Sequence, residues 1–348
     1  MSSDRPMRRP LNMREDGTVL LSTLLVLSLM SAVALALLTT LRTSVTRSGT
    51  LDAQAQVDLY AQGAREFTAS QIESVAGEEP ATLNARLAEP EPIILPFENG
   101  SMTLVVSDGT HCFRLSALSD TSGLGSDTAR LRFEALMGAL GIDPGTAGRI
   151  AAASVDWVDA DSQALPGGAE DGIYMSRAQP HRTANVPMVS VSELRAVDGM
   201  DEALFQRLLP HLCIGETGAP TQFNIETANS GHAPVLAAIL GGGLDAERVA
   251  LELIEQRPSG GYGSSETLLA SPVLQDFDNS AAQFDGIVFG PQRIVVEAII
   301  RFGPVQRAQL LAYEGLDSRR PKLTYRAWGS GEFPSLAWAR LIAEETEQ

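Results

Sequence analysis

The residues from Asp156 to Asp171 read DWVDADSQALPGGAED. Five carboxylates, Asp156, Asp159, Asp161, Glu170 and Asp171, fall within these sixteen residues. Gly167 and Gly168 let the chain turn back, so that the two ends of the segment meet. Anions brought that close repel, and a hard cation relieves the repulsion. Ca²⁺ suits such a set, because it takes roughly six to eight oxygen ligands in flexible geometry. No Cys or His is interleaved, so the donors are wrong for zinc. The spacing is not that of an EF-hand loop. A solvated acidic loop, with Asp156 capping the end of a preceding helix, is the other reading of the same residues.

Other chemistry finds little support. Paired carboxylates can hydrolyse glycosides, but only Trp157 and Tyr174 stand near to frame a sugar. His111, His181, His211 and His232 have no nucleophile at motif spacing and read as surface or capping residues. There is no nucleophile elbow and no phosphate loop, and the chain reads as a non-enzyme. Cys112 and Cys213 are the two cysteines. An extracytoplasmic compartment permits a disulfide between them; two buried free thiols are the alternative.

The elements that must position these residues begin with an apolar run. From Gly17 to Leu41 no residue is charged. About 20 apolar residues cross a bilayer, and the run is too long for the core of an ordinary signal peptide. Arg5, Arg8, Arg9 and Arg14 precede it and keep the N-terminus cytoplasmic, which leaves the rest outside. Beyond the run, Leu41, Val45, Leu51, Val57, Leu59, Phe67 and Ile72 recur at loosely helical spacing, so the helix continues to about Val75. The remainder is long enough for one large domain or two ordinary ones. With 44% hydrophobic and 20% charged residues it is not wholesale disorder. A net charge of -17 disfavours nucleic acid, whose phosphates need clustered Lys and Arg. It suits divalent cations and basic partner patches.

Residues 77–92, rich in Glu, Pro and Ala, read as a connection. Ile93 to Leu118 reads as short strands with turns at Asn99-Gly100 and Asp108-Gly109. Between Ser119 and Phe284 the apolar spacing turns helical, with starts at Ser192 and Asp245. After Asp285 strands return, with Ile294, Val296, Ala298 and Ile300 on one face. Strands on both sides of the helices predict a helical insertion within one sheet. Asn224 to Leu269, with Gly241, Gly242 and Gly243 between apolar helices, resembles a helix–hairpin–helix unit. Where DNA-binding versions are basic, this one has Asp245 and Glu247. A membrane-anchored periplasmic binding protein using that unit is the alternative functional reading.

The N-terminal arrangement resembles the type IV pilins and pseudopilins. The resemblance implies cleavage by a prepilin peptidase after Gly17, with Thr18 as the first mature residue and methylation of its amine. Asp16 stands where that family usually has Lys or Arg, and Met1, Met7 and Met13 are all usable starts. The acidic segment, Tyr174, Pro187, SVSELRAVDGM (Ser190 to Met200), FNIETA (Phe223 to Ala228) and GGYGSSETLLA (Gly260 to Ala270) resemble minor pseudopilin K of type II secretion systems. FRLSAL, Phe113 to Leu118, is similar too, although Arg114 and Ser116 stand where the family usually has Asn.

The resemblance implies an α+β pseudopilin fold: a long N-terminal transmembrane helix, an antiparallel sheet and a large inserted α-helical domain. The expected organisation is a leader over 1–17 and the helix over 18–76. The sheet domain takes 77–118 and 285–348, and the insertion 119–284. Calcium is implied in the insertion, with Asp159, Asp161, Glu170 and Asp171 as ligands and Asp156 divided between ligand and cap. The implied partners are the other minor pseudopilins, of the I and J types, the inner-membrane secretion platform and the prepilin peptidase. The implied place is the inner membrane, single-pass, with the C-terminal domain in the periplasm. In this family a Glu at the fifth mature position neutralises the amine of the subunit ahead; here that position is Ser22. A subunit without that Glu is expected at the tip of the fibre, where nothing lies ahead.

Overall fold

The computed structural model describes residues 15–277, 284–316 and 321–329. Most of the expected leader, the alternative starts and the 330–348 end of the expected sheet domain lie outside the described residues. Helix α1 runs from Glu15 to Val75. The chain divides into two compact units, Met1–Gln56 and Val57–Gln348.

In the first unit α1 is apolar on every side from Val19 to Leu41, and its large side chains there are exposed. It is long and apolar enough to cross a membrane, and none of its most apolar window is buried. Its hydroxyls close on its own carbonyls: Ser22 donates to Val19 at 2.9 Å and Thr40 to Ala36 at 2.7 Å. In hydrocarbon, polar groups have to be satisfied internally in this way.

In the second unit α1 turns amphipathic. Val57, Ala61, Ala64, Thr68 and Ile72 form its buried stripe. Leu59 and Phe67, expected on that stripe, are 61% and 45% exposed. Small residues win the inner face because they let the helix lie close on the sheet. The connection expected over 77–92 contains a helix, α2 (Pro80–Leu87), started by Pro80 in its first turn. Strands β1 (Ile93–Phe97) and β2 (Gly100–Asp108) form a hairpin. Its turn is Glu98-Asn99, one residue before the expected pair, and Asn99 takes the positive φ of 63°. Gly100 opens the strand instead. A Cβ there would lie 2.1 Å from the Arg301 carbonyl. At Asp108-Gly109 the strand ends without a hairpin.

The chain then leaves the sheet. Strand β3 (Phe113–Arg114) starts the inserted domain, followed by helices α3 (Asp127–Ala139), α4 (Pro144–Val158), α5 (Asp171–Tyr174) and α6 (Glu202–Leu208). Then come β4 (Leu212–Cys213), β5 (Phe223–Asn224), α7 (Ala233–Ile239), α8 (Gly243–Glu255) and α9 (Ser265–Leu269). Strand β6 (Ile287–Val288) closes the insertion. β3 pairs in parallel with β4, and β5 with β6. Phe113, Leu115, Leu118 and Ile287 belong to the helical core. The insertion therefore begins before the expected residue 119 and ends after 284. The start expected at Ser192 falls on Ser190, whose capping box with Glu193 opens a short 3-10 helix over Val191–Ala196. Gly241, Gly242 and Gly243 join α7 to α8 with φ of 103°, 77° and 85°, so α8 begins two residues before Asp245.

The sheet resumes with β7 (Arg293–Phe302), β8 (Val305–Glu314) and β9 (Lys322–Trp328). Its order is β1-β2-β7-β8-β9, antiparallel throughout. Ile294, Val296, Ala298 and Ile300 pack in one core with Val57, Ala61 and Ala64. Two polar knots and a disulfide hold the insertion to the sheet. At the end of β2, Asp108 accepts from Thr110 N at 2.8 Å, Asn224 Nδ2 at 2.7 Å and Thr227 Oγ1 at 2.6 Å. Arg293, almost wholly buried, donates to Glu314 at 3.0 Å and to the Ile214 carbonyl, while Arg114 pairs with Glu314 at 3.2 Å. Cys112 and Cys213 are joined, closing 101 residues of chain.

Candidate metal centre

The acidic site is built on the C-terminal end of α4. Asp143 caps that helix by accepting from Thr146 N at 2.9 Å, and Pro144 fills its first position. From Ala151 to Val158 every residue of α4 is buried, so the helix end cannot shift without breaking the core. Asp159 follows as the C-cap residue in extended conformation and is itself buried, 6% exposed. Asp161 turns outward, and its Oδ1 accepts from Gln163 N at 2.7 Å. Leu165-Pro166-Gly167-Gly168 then reverses the chain, with Gly168 N donating to the Leu165 carbonyl at 2.8 Å. Pro in the second place and Gly167 at φ 82° in the third make this a type II turn. The turn delivers Glu170 back to Asp159 and Asp161.

The result is a group of three carboxylates, Asp159, Asp161 and Glu170, each with an oxygen within 4.8 Å of the others. Asp159 Oδ1 and Glu170 Oε1 are buried and have no hydrogen-bond partner among the described residues. Leaving such atoms unmatched is costly, and an oxygen-only trio suits a hard divalent ion. The residues present therefore fit Ca²⁺. Electrostatics point the same way. Burial, and then the charges of Asp161, Asp156 and Glu170, push the Asp159 carboxyl up to about 6. Glu170 is raised by burial and by Asp156.

Asp156 and Asp171 sit differently. Asp156 lies inside α4, not at its end, and accepts from Leu165 N at 3.1 Å. It steers the turn: a Cβ on Gly168 would fall 1.9 Å from its Oδ2, so only glycine fits there. Burial raises its pKa, with Asp161 adding to the shift and backbone donors opposing it. The structure does not bring Asp171 into the trio. Its carboxylate accepts from Thr183 N and Oγ1, both at 3.0 Å, and from Arg182 at 3.0 Å. These donors hold it below the usual carboxylate range. It anchors the loop that leaves the site.

Comparison with known proteins agrees with the architecture. The family described as "Type II secretion system (T2SS), protein K" matches residues 111–216 and 223–288. Type II secretion system protein K of Klebsiella pneumoniae is 33% identical over 278 residues, 78% of this chain and 84% of that protein. The chain belongs to the type II secretion system protein K family. The homologous protein of Pectobacterium carotovorum is 31% identical over the same shares. A chain in the crystal structure of a GspK-GspI-GspJ complex from enterotoxigenic Escherichia coli superposes with a TM-score of 0.70 at 22% identity. The match covers 81% of this chain and 99% of that one. At that identity the likeness speaks for the fold.

Some residues that shape the site of this family member escape a reading of the acidic segment alone. Ser119 to Gly125 folds over Asp159, with the Gly123 carbonyl accepting from Ala160 N at 2.9 Å. A Cβ on Gly125 would fall 2.4 Å from Val155 and 3.3 Å from Asp159 Oδ2. The turn-rich SDTSGLGS sequence signals a loop there, but not where it packs. Among the histidines expected at the surface or as caps, His232 does cap, accepting from Asn229 N at 3.1 Å. His111 and His211 are buried, at 7% and 8% exposed.

Proposed function

We propose that the chain is a minor pseudopilin at the tip of the type II secretion pseudopilus, where it starts assembly with the I- and J-type minor pseudopilins and supports export across the outer membrane. One observation carries the reading: from Thr18 to Leu41 the apolar helix holds no acid, and Ser22 closes on its own backbone. An unpaired charge in hydrocarbon costs at least a few kcal/mol, so a subunit joining below another needs a carboxylate for the amine ahead. This chain has none to offer and fits where no subunit lies ahead. The insertion between β2 and β7 agrees, because its bulk is free to project only at an end. The structurally similar Escherichia coli chain sits in a GspK-GspI-GspJ complex, which supports the choice of partners.

In this reading a prepilin peptidase cuts between Gly17 and Thr18, and α1 stays in the inner membrane with the second unit in the periplasm. N-terminal sequencing of the mature protein checks the cut; a start beyond residue 35 of the sequence contradicts it. Calcium held by Asp159, Asp161 and Glu170, with Asp156 behind them, fixes the end of α4 and the loop to α5. Immunogold labelling of pseudopili tests the position. Gold at one end supports the tip assignment, and gold spread along the shaft defeats it.

A further inference from the structure

A basic groove lies between the second half of α1 and the β8–β9 edge of the sheet. Asp58, Gln62, Arg65, Arg307, Arg326 and Trp328 line a cavity of about 480 Å³. Three guanidinium groups face one carboxylate there. Arg307 pairs with Asp58, and Arg65 reaches Glu66 at 2.8 Å on the rim. Among the described residues no carboxylate pairs with Arg326. It lies over the Trp328 ring with its guanidinium carbon 4.2 Å from the centroid, and Arg307 approaches the same ring at 5.4 Å. Burial, and then the like charge of Arg65, hold Arg326 below its ordinary range. A cation stacked on an aromatic ring keeps its donors in one plane, which suits bidentate capture of a carboxylate.

The surrounding helix surface continues the feature. One step further round α1, Leu59 and Phe67 are 61% and 45% exposed, and no described residue lies within 4 Å of a Cβ built on Gly63 between them. An excess of cations, Arg326 without a carboxylate among them, beside bare apolar side chains is the composition of a protein interface, with aromatic and Arg anchors. An anionic membrane is a poorer match. It favours a convex patch of like charges, whereas this groove is concave and contains Asp58.

We propose that this groove docks carboxylate side chains on the partner pseudopilin that packs along α1, with Arg326 and Arg65 as the anchoring cations. The proposal rests on the pilus-assembly reading above. Its test is binding of the full-length chain in detergent to the I- and J-type minor pseudopilins of the same secretion system. Arg65→Glu/Arg326→Glu is compared with wild type and with Arg248→Glu, an exposed arginine on α8. We expect the double reversal to weaken binding on the order of tenfold or more, with an unchanged melting temperature and with Arg248→Glu at wild-type affinity. Raising salt should weaken wild type more than the double variant. A photocrosslinker at position 326 should label the partner.

The outcomes separate the two claims. If wild type binds neither pseudopilin, the assembly reading itself fails. If wild type and the double variant bind alike, only the groove is refuted. Crosslinks from position 326 confined to residues 330–348 of the same chain would also overturn it. So would a double variant that loses only binding to phosphatidylcholine vesicles containing phosphatidylglycerol.

Discussion

Two buried carboxylates of this molecule make opposite arrangements. Asp108, at the end of β2, receives hydrogen bonds from a backbone amide, an amide side chain and a hydroxyl. Asp159, at the end of α4, keeps a buried oxygen with no partner among the described residues and looks across at Asp161 and Glu170. The same side chain at similar burial is satisfied by protein donors in one place and left facing other anions in the other. The first arrangement binds two parts of the chain together. The second sets three carboxylates against one another.

The comparison breaks most visibly at Asp108. Asp108→Ala takes an acceptor from Thr227, Asn224 and the Thr110 amide, although Asn224 Nδ2 keeps Asn84 Oδ1 at 2.9 Å and Thr227 Oγ1 keeps His111 Nε2 at 3.0 Å. Each such loss costs about 1–3 kcal/mol, so we expect about 4 kcal/mol, read as a large drop in the denaturation midpoint. A loss below about 1 kcal/mol would show that water replaces the carboxylate. The neighbouring disulfide is next. Closing a loop of 101 residues contributes about 2–5 kcal/mol, and Cys112→Ser should lose that amount in chemical denaturation.

Asp159 should respond with the opposite sign. In chelator, Asp159→Asn removes a repelled charge and should stabilise the apo protein by roughly 1 kcal/mol at pH 7. A destabilised apo variant would mean that Asp159 is satisfied after all. The pH dependence follows. The folded pKa of about 6 lies above the ordinary 3.8, so the folded state binds more protons between those values. This group's contribution to apo stability therefore falls as pH rises through about 4 to 6. Calcium binding needs the ionised form and should weaken as pH drops below about 6. The smallest effect is at Asp171. Arg182→Ala removes its mostly exposed ion pair, worth less than about 1 kcal/mol, and should leave calcium affinity nearly unchanged.

The acidic cluster is legible in the sequence because its residues are close along the chain and the Pro-Gly-Gly turn that folds them together lies between them. Asp171 shows the limit. It shares the spacing and the charge, but its orientation is set by Thr183 and Arg182, which composition cannot assign. The Asp108 knot is illegible for a different reason: Asn224 and Thr227 lie more than 100 residues away. On α1, large apolar residues mark the helical period, but the face that meets the sheet belongs to Ala61 and Ala64. Close approach to the sheet overrides hydrophobicity there, and it leaves Leu59 and Phe67 outside. The short strands β3 to β6 carry too few residues for any period to show.

Calcium binding tests the central contrast most directly. The melting temperature of the protein is followed in calcium and in chelator, for wild type, Asp161→Ala and Asp108→Asn. Saturation at about 100 times the dissociation constant raises stability by about 2.7 kcal/mol, a shift of several degrees. The account predicts that shift in wild type, its loss in Asp161→Ala, and its survival in Asp108→Asn on a lower baseline. An identical melting temperature in calcium and chelator for wild type would contradict it.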